Sequence, residues 1–189
     1  MATEEPKYTL VEKHGSFEIR QYAPVIVAET KVSGRFEWAG NAAFRRLAGY
    51  IFGNNRRRAS IAMTAPVVQE PASEKIAMTA PVTQEAAGKE WVVSFVMPAQ
   101  YTMETLPEPL DPAVHLRKRP GQLMAAVAYS GTWRKSVYEK KRKQLEAFIT
   151  ARGYAVVGPA VFARYNSPMT LPFLRRNEVL IPVERGSGA

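Results

Sequence analysis

Two histidines, a single aspartate and no cysteine are a poor kit for acid–base or nucleophilic chemistry in a chain of 189 residues. His14 and His115 each lie at or near the first strand of a half, apart from any Asp/Glu/Cys cluster, where a histidine in a turn or strand end is a surface or hydrogen-bonding residue rather than a metal ligand. Asp111 is the only aspartate and no serine stands in a nucleophile-elbow motif, so a Ser/His/Asp triad is poorly supported. No phosphate-cradling glycine loop or dinucleotide fingerprint occurs. Without cysteine, disulfides, thiolate metal sites, iron–sulfur clusters and thioether-attached haem are excluded. A catalytic centre is not expected, although an enzymatic role stays open.

The chemistry on offer is that of a wall. The phrase Ile-Ala-Met-Thr-Ala-Pro-Val runs from Ile61 to Val67 and again from Ile76 to Val82, each copy followed by one residue and then Gln-Glu. A third Met-Thr pair sits between prolines at Pro168-Met169-Thr170-Leu171-Pro172. Methionine is deformable and polarizable, so Met63, Met78 and Met169 suit contact with a flat apolar guest as well as ordinary core filling. Thr64 and Thr79 are expected to serve the backbone, where a hydroxyl can satisfy a carbonyl freed by the next proline. Arg175 and Arg176 precede the last strand. They are expected to pair internally, with Glu178 or another acid, before any acidic ligand.

Elements must hold these pieces. Tyr8 to Glu12, Phe17 to Tyr22 and Val25 to Val32 read as strands, separated by His14-Gly15-Ser16 and Pro24. Phe36, Ala39, Ala43, Leu47 and Ile51 then recur at helical spacing, predicting a helix over about 35–51 that Gly53-Asn54-Asn55 stops. The order repeats: Val114 to Lys118, a turn at Pro120-Gly121, a buried strand over Gln122 to Tyr129, and a helix over about 133–151 with Thr132 as its cap. Ser33-Gly34 and Ser130-Gly131 occupy equivalent places, which reads as an internal duplication with halves at about 8–97 and 113–184. Pro98 to Pro112 is a linker or crossing loop. Both copies of the repeated phrase are expected as strands, with Pro66 and Pro81 at edges or bulges. Trp91 to Met97, Ala160 to Tyr165 and Glu178 to Val183 complete the strands. The expected class is α+β: one domain over 7–184, a distorted antiparallel β-barrel of two similar halves flanked by two helices, with 1–6 and 185–189 as flexible ends.

The hydrophobic fraction of 46% supports a substantial core. The net charge of +9 gathers at Arg56-Arg57-Arg58, Arg117-Lys118-Arg119, Lys140-Lys141-Arg142-Lys143 and Arg175-Arg176. These clusters read as solvated faces, and no nucleic-acid partner is expected. No signal peptide or membrane span is evident, and the chain is expected to be soluble and cytoplasmic.

Taken together, the doubled phrase, the Asn166-Ser167-Pro168-Met169-Thr170-Leu171-Pro172 loop and Arg175-Arg176-Asn177-Glu178-Val179 resemble the SOUL haem-binding protein family. Tyr22-Ala23-Pro24 and Gly53-Asn54 match it as well. The resemblance covers about Tyr8 to Val183. It implies a distorted antiparallel barrel with two helices and non-covalent binding of haem or a related tetrapyrrole beside the first helix. On this chain that points to Phe44, Leu47, Ala48 and Ile51, with Met63, Met169, Leu171 and Phe173 nearby. Arg45, Arg46 or Arg58 would meet the propionates. Basic residues associated with haem in animal members fall on Asn41, Gly49 and Leu171 here. The first helix holds no histidine, so no axial ligand is assigned and burial of the porphyrin face would carry affinity. The implied function is a haem or porphyrin carrier, buffer or sensor. Alternatives are a tetrapyrrole-modifying enzyme, removing iron or opening the ring, and an effector-binding module acting through a protein partner.

Overall fold

A computed structural model describes residues 4–57, 73–167 and 169–186. Alternating side chains give β1 (Tyr8–His14), β2 (Phe17–Tyr22) and β3 (Val25–Ser33), and the apolar stripe gives α1 (Phe36–Ile51). A two-residue β4 (Asn55–Arg56) follows, then β5 (Val82–Ala87), β6 (Glu90–Val96) and the equally short β7 (Glu108–Pro109). The second half supplies β8 (His115–Arg119), β9 (Gln122–Tyr129), α2 (Lys135–Ala151), β10 (Tyr154–Val156), β11 (Val161–Arg164) and β12 (Asn177–Arg185).

The main sheet runs β1-β2-β9-β12-β11-β5-β6-β3-β8, with β10 paired to β12, and β4 pairs with β7 apart from it. All of these pairings are antiparallel. From β2 to β8 the order is its own reverse when β2 is exchanged with β8, β3 with β9, β5 with β11 and β6 with β12. β2 thus pairs with β9 of the second half and β8 with β3 of the first. Gly34 and Gly131, at φ 120° and 126°, turn the chain from strand toward helix in a conformation side-chain-bearing residues avoid.

The sheet does not close into the expected barrel; β1 and β8 remain its two ends. At the β8 edge, Arg117, Lys118 and Arg119 discourage further pairing by their charge.

Both helices pack on one face. α2 covers Ile19, Val127, Phe162, Val179 and Ile181 with Leu145 and Ile149, while α1 covers Ala28, Val93 and Phe95 with Ala43, Leu47 and Ile51. The opposite face holds a smaller apolar patch of Met124, Ala126, Val161, Ala163 and Leu180. Neither helix has a side-chain N-cap, and α2 begins at Lys135 rather than behind a Thr132 cap.

The first copy of the repeated phrase, with Arg58 and Met63, lies outside the described residues. The second copy is not the expected strand. From Ile76 to Pro81 it runs without ladder pairing, and β5 begins at Val82, after the proline that cannot donate. Two backbone bonds tie it down: Ile76 N–H donates to Ile51 O at 2.7 Å, and Ala80 N–H to Glu4 O at 2.9 Å. Thr79 Oγ1 donates to Val96 O, the backbone role expected of it. The stretch from Pro98 to Pro112 buries Leu106 completely, so it is a packed crossing loop rather than a linker. Glu4 and Glu5, expected in a fraying end, are engaged: Ala99 N–H donates to Glu4 Oε1 at 2.9 Å and Arg176 lies 3.1 Å from Glu5. Among the described residues no helix is long and apolar enough to cross a membrane.

Candidate ligand-binding site

One cross-strand row on the helix-covered face builds the site. Phe95 of β6 pairs with Val82 of β5, Val82 with Arg164 of β11, Arg164 with Asn177 of β12, and Asn177 with Tyr129 of β9. Period-two alternation puts all five on one side. Above this row, between α1 and the segment entering α2, the two helices leave a gap.

The gap is a cavity of about 550 Å³, within the roughly 300–1,000 Å³ typical of small-molecule sites. α1 contributes Gly40, Asn41, Phe44 and Arg45, and the stretch before β5 contributes Met78, Thr79 and Ala80. Val82 and Arg164 come from the sheet, Trp133 from the approach to α2, and Tyr165, Asn166 and Ser167 from the loop after β11. The apolar wall is thus aromatic and thioether surface, with a guanidinium at each of two levels.

The parts are fixed. Trp133 Nε1 donates to Asn177 Oδ1 at 2.7 Å, and Asn177 Nδ2 donates to Gly131 O at 3.3 Å. Arg164 lies 4.8 Å from the Trp133 ring centroid and 5.0 Å from that of Phe162, while Arg175 stacks on Trp133 at 4.3 Å. Arg164 Nη2 donates to Gln84 Oε1 at 2.8 Å, and Gln84 Nε2 donates to Phe36 O at 3.0 Å. Arg164 is 7% exposed, and burial pulls its pKa down to about 10. Gly40 makes room for it: a Cβ there would stand 2.6 Å from Nη1.

Tyr165 links this cavity to the far face of the sheet. Its hydroxyl donates to Glu178 Oε2 at 2.7 Å, and burial raises its pKa well above the usual phenol range. Glu178, 1% exposed, takes Arg20 Nη1 at 2.9 Å and Nη2 at 3.1 Å, with Arg176 Nη2 at 3.1 Å. Burial alone would raise the Glu178 carboxyl, but the hydrogen bonds and charge of Arg20, aided by Tyr165 and Arg176, hold it below the ordinary range. Arg176 thus pairs internally as expected, and Arg175 Nε donates to Thr170 O at 2.7 Å.

The helix stripe proposed to face a ligand divides. Phe44, half-buried, and Arg45, exposed, line the cavity. Leu47, Ala48 and Ile51 are turned inward, and Leu47 and Ile51, 0% and 1% exposed, pack in the core with Val93 and Phe95 and offer no surface to a guest. Arg46 reaches Thr30 Oγ1 at 3.0 Å and Asp111 at 3.4 Å instead. Met169, Leu171 and Phe173 are exposed on the loop that continues from Ser167, Met169 at 91%, and do not line the cavity. Met78 stands in the cavity wall where Met63 was expected nearby. Sequence reasoning missed Gly40, Trp133 and Arg164 as site residues. Arg164 was findable, since alternation with Phe162 turns it toward the helices.

A larger cavity, about 620 Å³, lies where Glu4 to Lys7 cross the start of β3 and the end of β6, rimmed by Lys118 and Arg119. None of the expected site residues reaches it, and charged side chains crowd its mouth. The cavity beside α1 contains no acid–base pair, and among the described residues no cluster of His, Asp and Glu could hold a metal. It offers an apolar wall and a buried cation.

The fold recurs in solved structures of low identity. An uncharacterized conserved protein from Listeria innocua matches with a TM-score of 0.61 at 13% identity, covering 89% of this chain and 92% of that one. The C-terminal domain of EcmrR matches with a TM-score of 0.59 at 10% identity, covering 94% and 98%. At the sequence level, Heme-binding protein 1 of Xenopus tropicalis is 28% identical over 172 residues, spanning 89% of this chain and 84% of the relative. Heme-binding protein 2 of Homo sapiens is 31% identical over 173 residues, spanning 87% and 77%. Residues 3–182 match the family described as SOUL heme-binding protein, which takes in both halves of the sheet and every wall of the cavity, and the chain belongs to that family.

Proposed function

We propose that this protein binds haem or a related tetrapyrrole non-covalently in the cavity beside α1, as a carrier, buffer or sensor. Membership of the SOUL family over nearly the whole chain carries the reading. The cavity supports it with a volume suited to a small-molecule guest, apolar wall from Phe44, Met78, Val82 and Trp133, and Arg45 at the rim for a propionate. Neither His14 nor His115 lines this cavity. Affinity then rests on burying the macrocycle face and pairing its acids, not on an axial bond from these residues. We read 7–184 as a single binding domain whose halves arose by duplication, working as a soluble cytoplasmic protein.

Haem titration followed at the Soret band tests this. A saturable shift with wild-type protein at micromolar concentration is expected, and Phe44→Asp should abolish it while leaving the far-ultraviolet circular dichroism unchanged. Absence of a saturable shift in the wild type would refute the proposal.

A further inference from the structure

The two deeply buried guanidinium groups among the described residues are treated differently. Arg20 meets the Glu178 carboxylate through two hydrogen bonds. Arg164 has no carboxylate partner among the described residues. Its one hydrogen bond there goes to the neutral Gln84, and Nε is buried without a partner. Arg175, stacked on the same indole, adds a like charge. A desolvated cation left without a counter-ion opposes folding, and proteins tolerate such a group where an incoming ligand supplies the missing charge.

The surroundings keep that cation in place. Gln84 anchors one edge of the guanidinium, Trp133 and Phe162 flank it, and Gly40 lets it press against α1 where a Cβ would clash at 2.6 Å from Nη1. Tyr129, two strands away along the same row, carries a second buried polar atom without a partner, its hydroxyl. The cavity thus joins apolar wall from Phe44, Met78, Val82 and Trp133 to a buried cation that lacks a carboxylate partner among the described residues.

We infer that Arg164 is the anion anchor of this cavity, and that the ligand it selects is a flat apolar acid lodged with one carboxylate innermost. This deepens the tetrapyrrole reading by assigning the acid group a buried partner. It rests on Arg164 and makes no use of iron, so it extends to any planar acid of suitable size. Arg45, exposed at the rim, would be left for a second acid group facing solvent.

The test compares metal-free protoporphyrin, a diacid, with its dimethyl ester on the full chain, by fluorescence titration. Wild type should prefer the diacid by about tenfold or more, as expected for a charge-assisted bond in a dry site. Arg164→Met should bring the ratio close to one by weakening the diacid alone, and Arg164→Lys should restore part of the preference. Equal affinity for diacid and ester in the wild type would overturn the inference while leaving tetrapyrrole binding intact. A preference unchanged in Arg164→Met would overturn it as well. Should neither porphyrin bind, the haem reading fails, and 2-naphthoate against 2-naphthamide decides. A rise in wild-type Tm with naphthoate alone, lost in Arg164→Met, upholds the anchor; no difference between the two compounds sinks it.

Discussion

A Cβ on residue 40 would stand 2.6 Å from Arg164 Nη1, 2.8 Å from Nη2 and 2.9 Å from Cζ, so Gly40 and Arg164 form a matched pair across the helix–sheet gap. Glycine inside α1 costs about 1 kcal/mol relative to alanine, and the helix bears that cost where the guanidinium approaches. Gly40→Ala is expected to destabilise by up to ~2 kcal/mol, because overpacking of ~1–3 kcal/mol exceeds the gain in helix propensity. In an Arg164→Met background the sign should move toward stabilisation. A double-mutant cycle by urea denaturation checks this, with a coupling of about 1 kcal/mol or more expected.

Arg164→Met should leave the ligand-free protein at least as stable as wild type at neutral pH. Loss of the Gln84 bond costs about 1 kcal/mol, and removal of an unpaired buried charge offsets it. The sign with pH follows from a folded pKa lowered by burial from the ordinary guanidinium range to about 10. Between those values the unfolded chain holds more protons at this site, so its penalty fades as pH rises. Any stability advantage of the variant should therefore be full below pH 10 and shrink above it, which melts from neutral to alkaline pH will read.

Glu178→Gln should cost ~1–3 kcal/mol, because it removes the carboxylate from both Nη groups of Arg20 while Glu18 still holds Nε at 2.7 Å. The carboxyl is held below its ordinary 4.5, so its contribution is complete above that value and is lost as pH falls through the lower folded value. Wild type should lose stability on acidification below the ordinary carboxyl range, and the variant should lose less. Parallel urea melts at neutral and acid pH measure the difference.

Leu47→Ala and Phe44→Ala should separate folding from binding. Leu47 is wholly buried, and its truncation should cost ~2–5 kcal/mol of stability with little change in porphyrin affinity of the folded fraction. Phe44→Ala should weaken porphyrin binding by roughly tenfold through lost apolar contact, with a smaller stability loss. Denaturation and porphyrin titration on both variants provide the check.

Most of the fold could be read from periodicity. The stripe Phe36, Ala39, Ala43, Leu47 and Ile51 and the strand Gln122 to Tyr129 are strong local signals. Closure was not legible, because edge pairing depends on how β1 and β8 meet in space. Nor was the course of Ile76 to Pro81, where β-forming residues surrender ladder pairing to contacts with α1 and Glu4. The site was half legible. Helical spacing identifies an apolar stripe but not which part of it a sheet covers, so Leu47 and Ile51 stood beside Phe44 as equals. Trp133 and Arg164 are far apart in sequence and meet only through strand register and the approach to α2.

Amide chemical-shift mapping of the porphyrin complex most directly tests the claim that the ligand lies between α1 and the C-terminal end of β11. The expected perturbations centre on Gly40, Asn41, Phe44, Met78, Trp133 and Arg164. Perturbations centred instead on Val27, Met124 and Leu180, across the sheet from both helices, would contradict it.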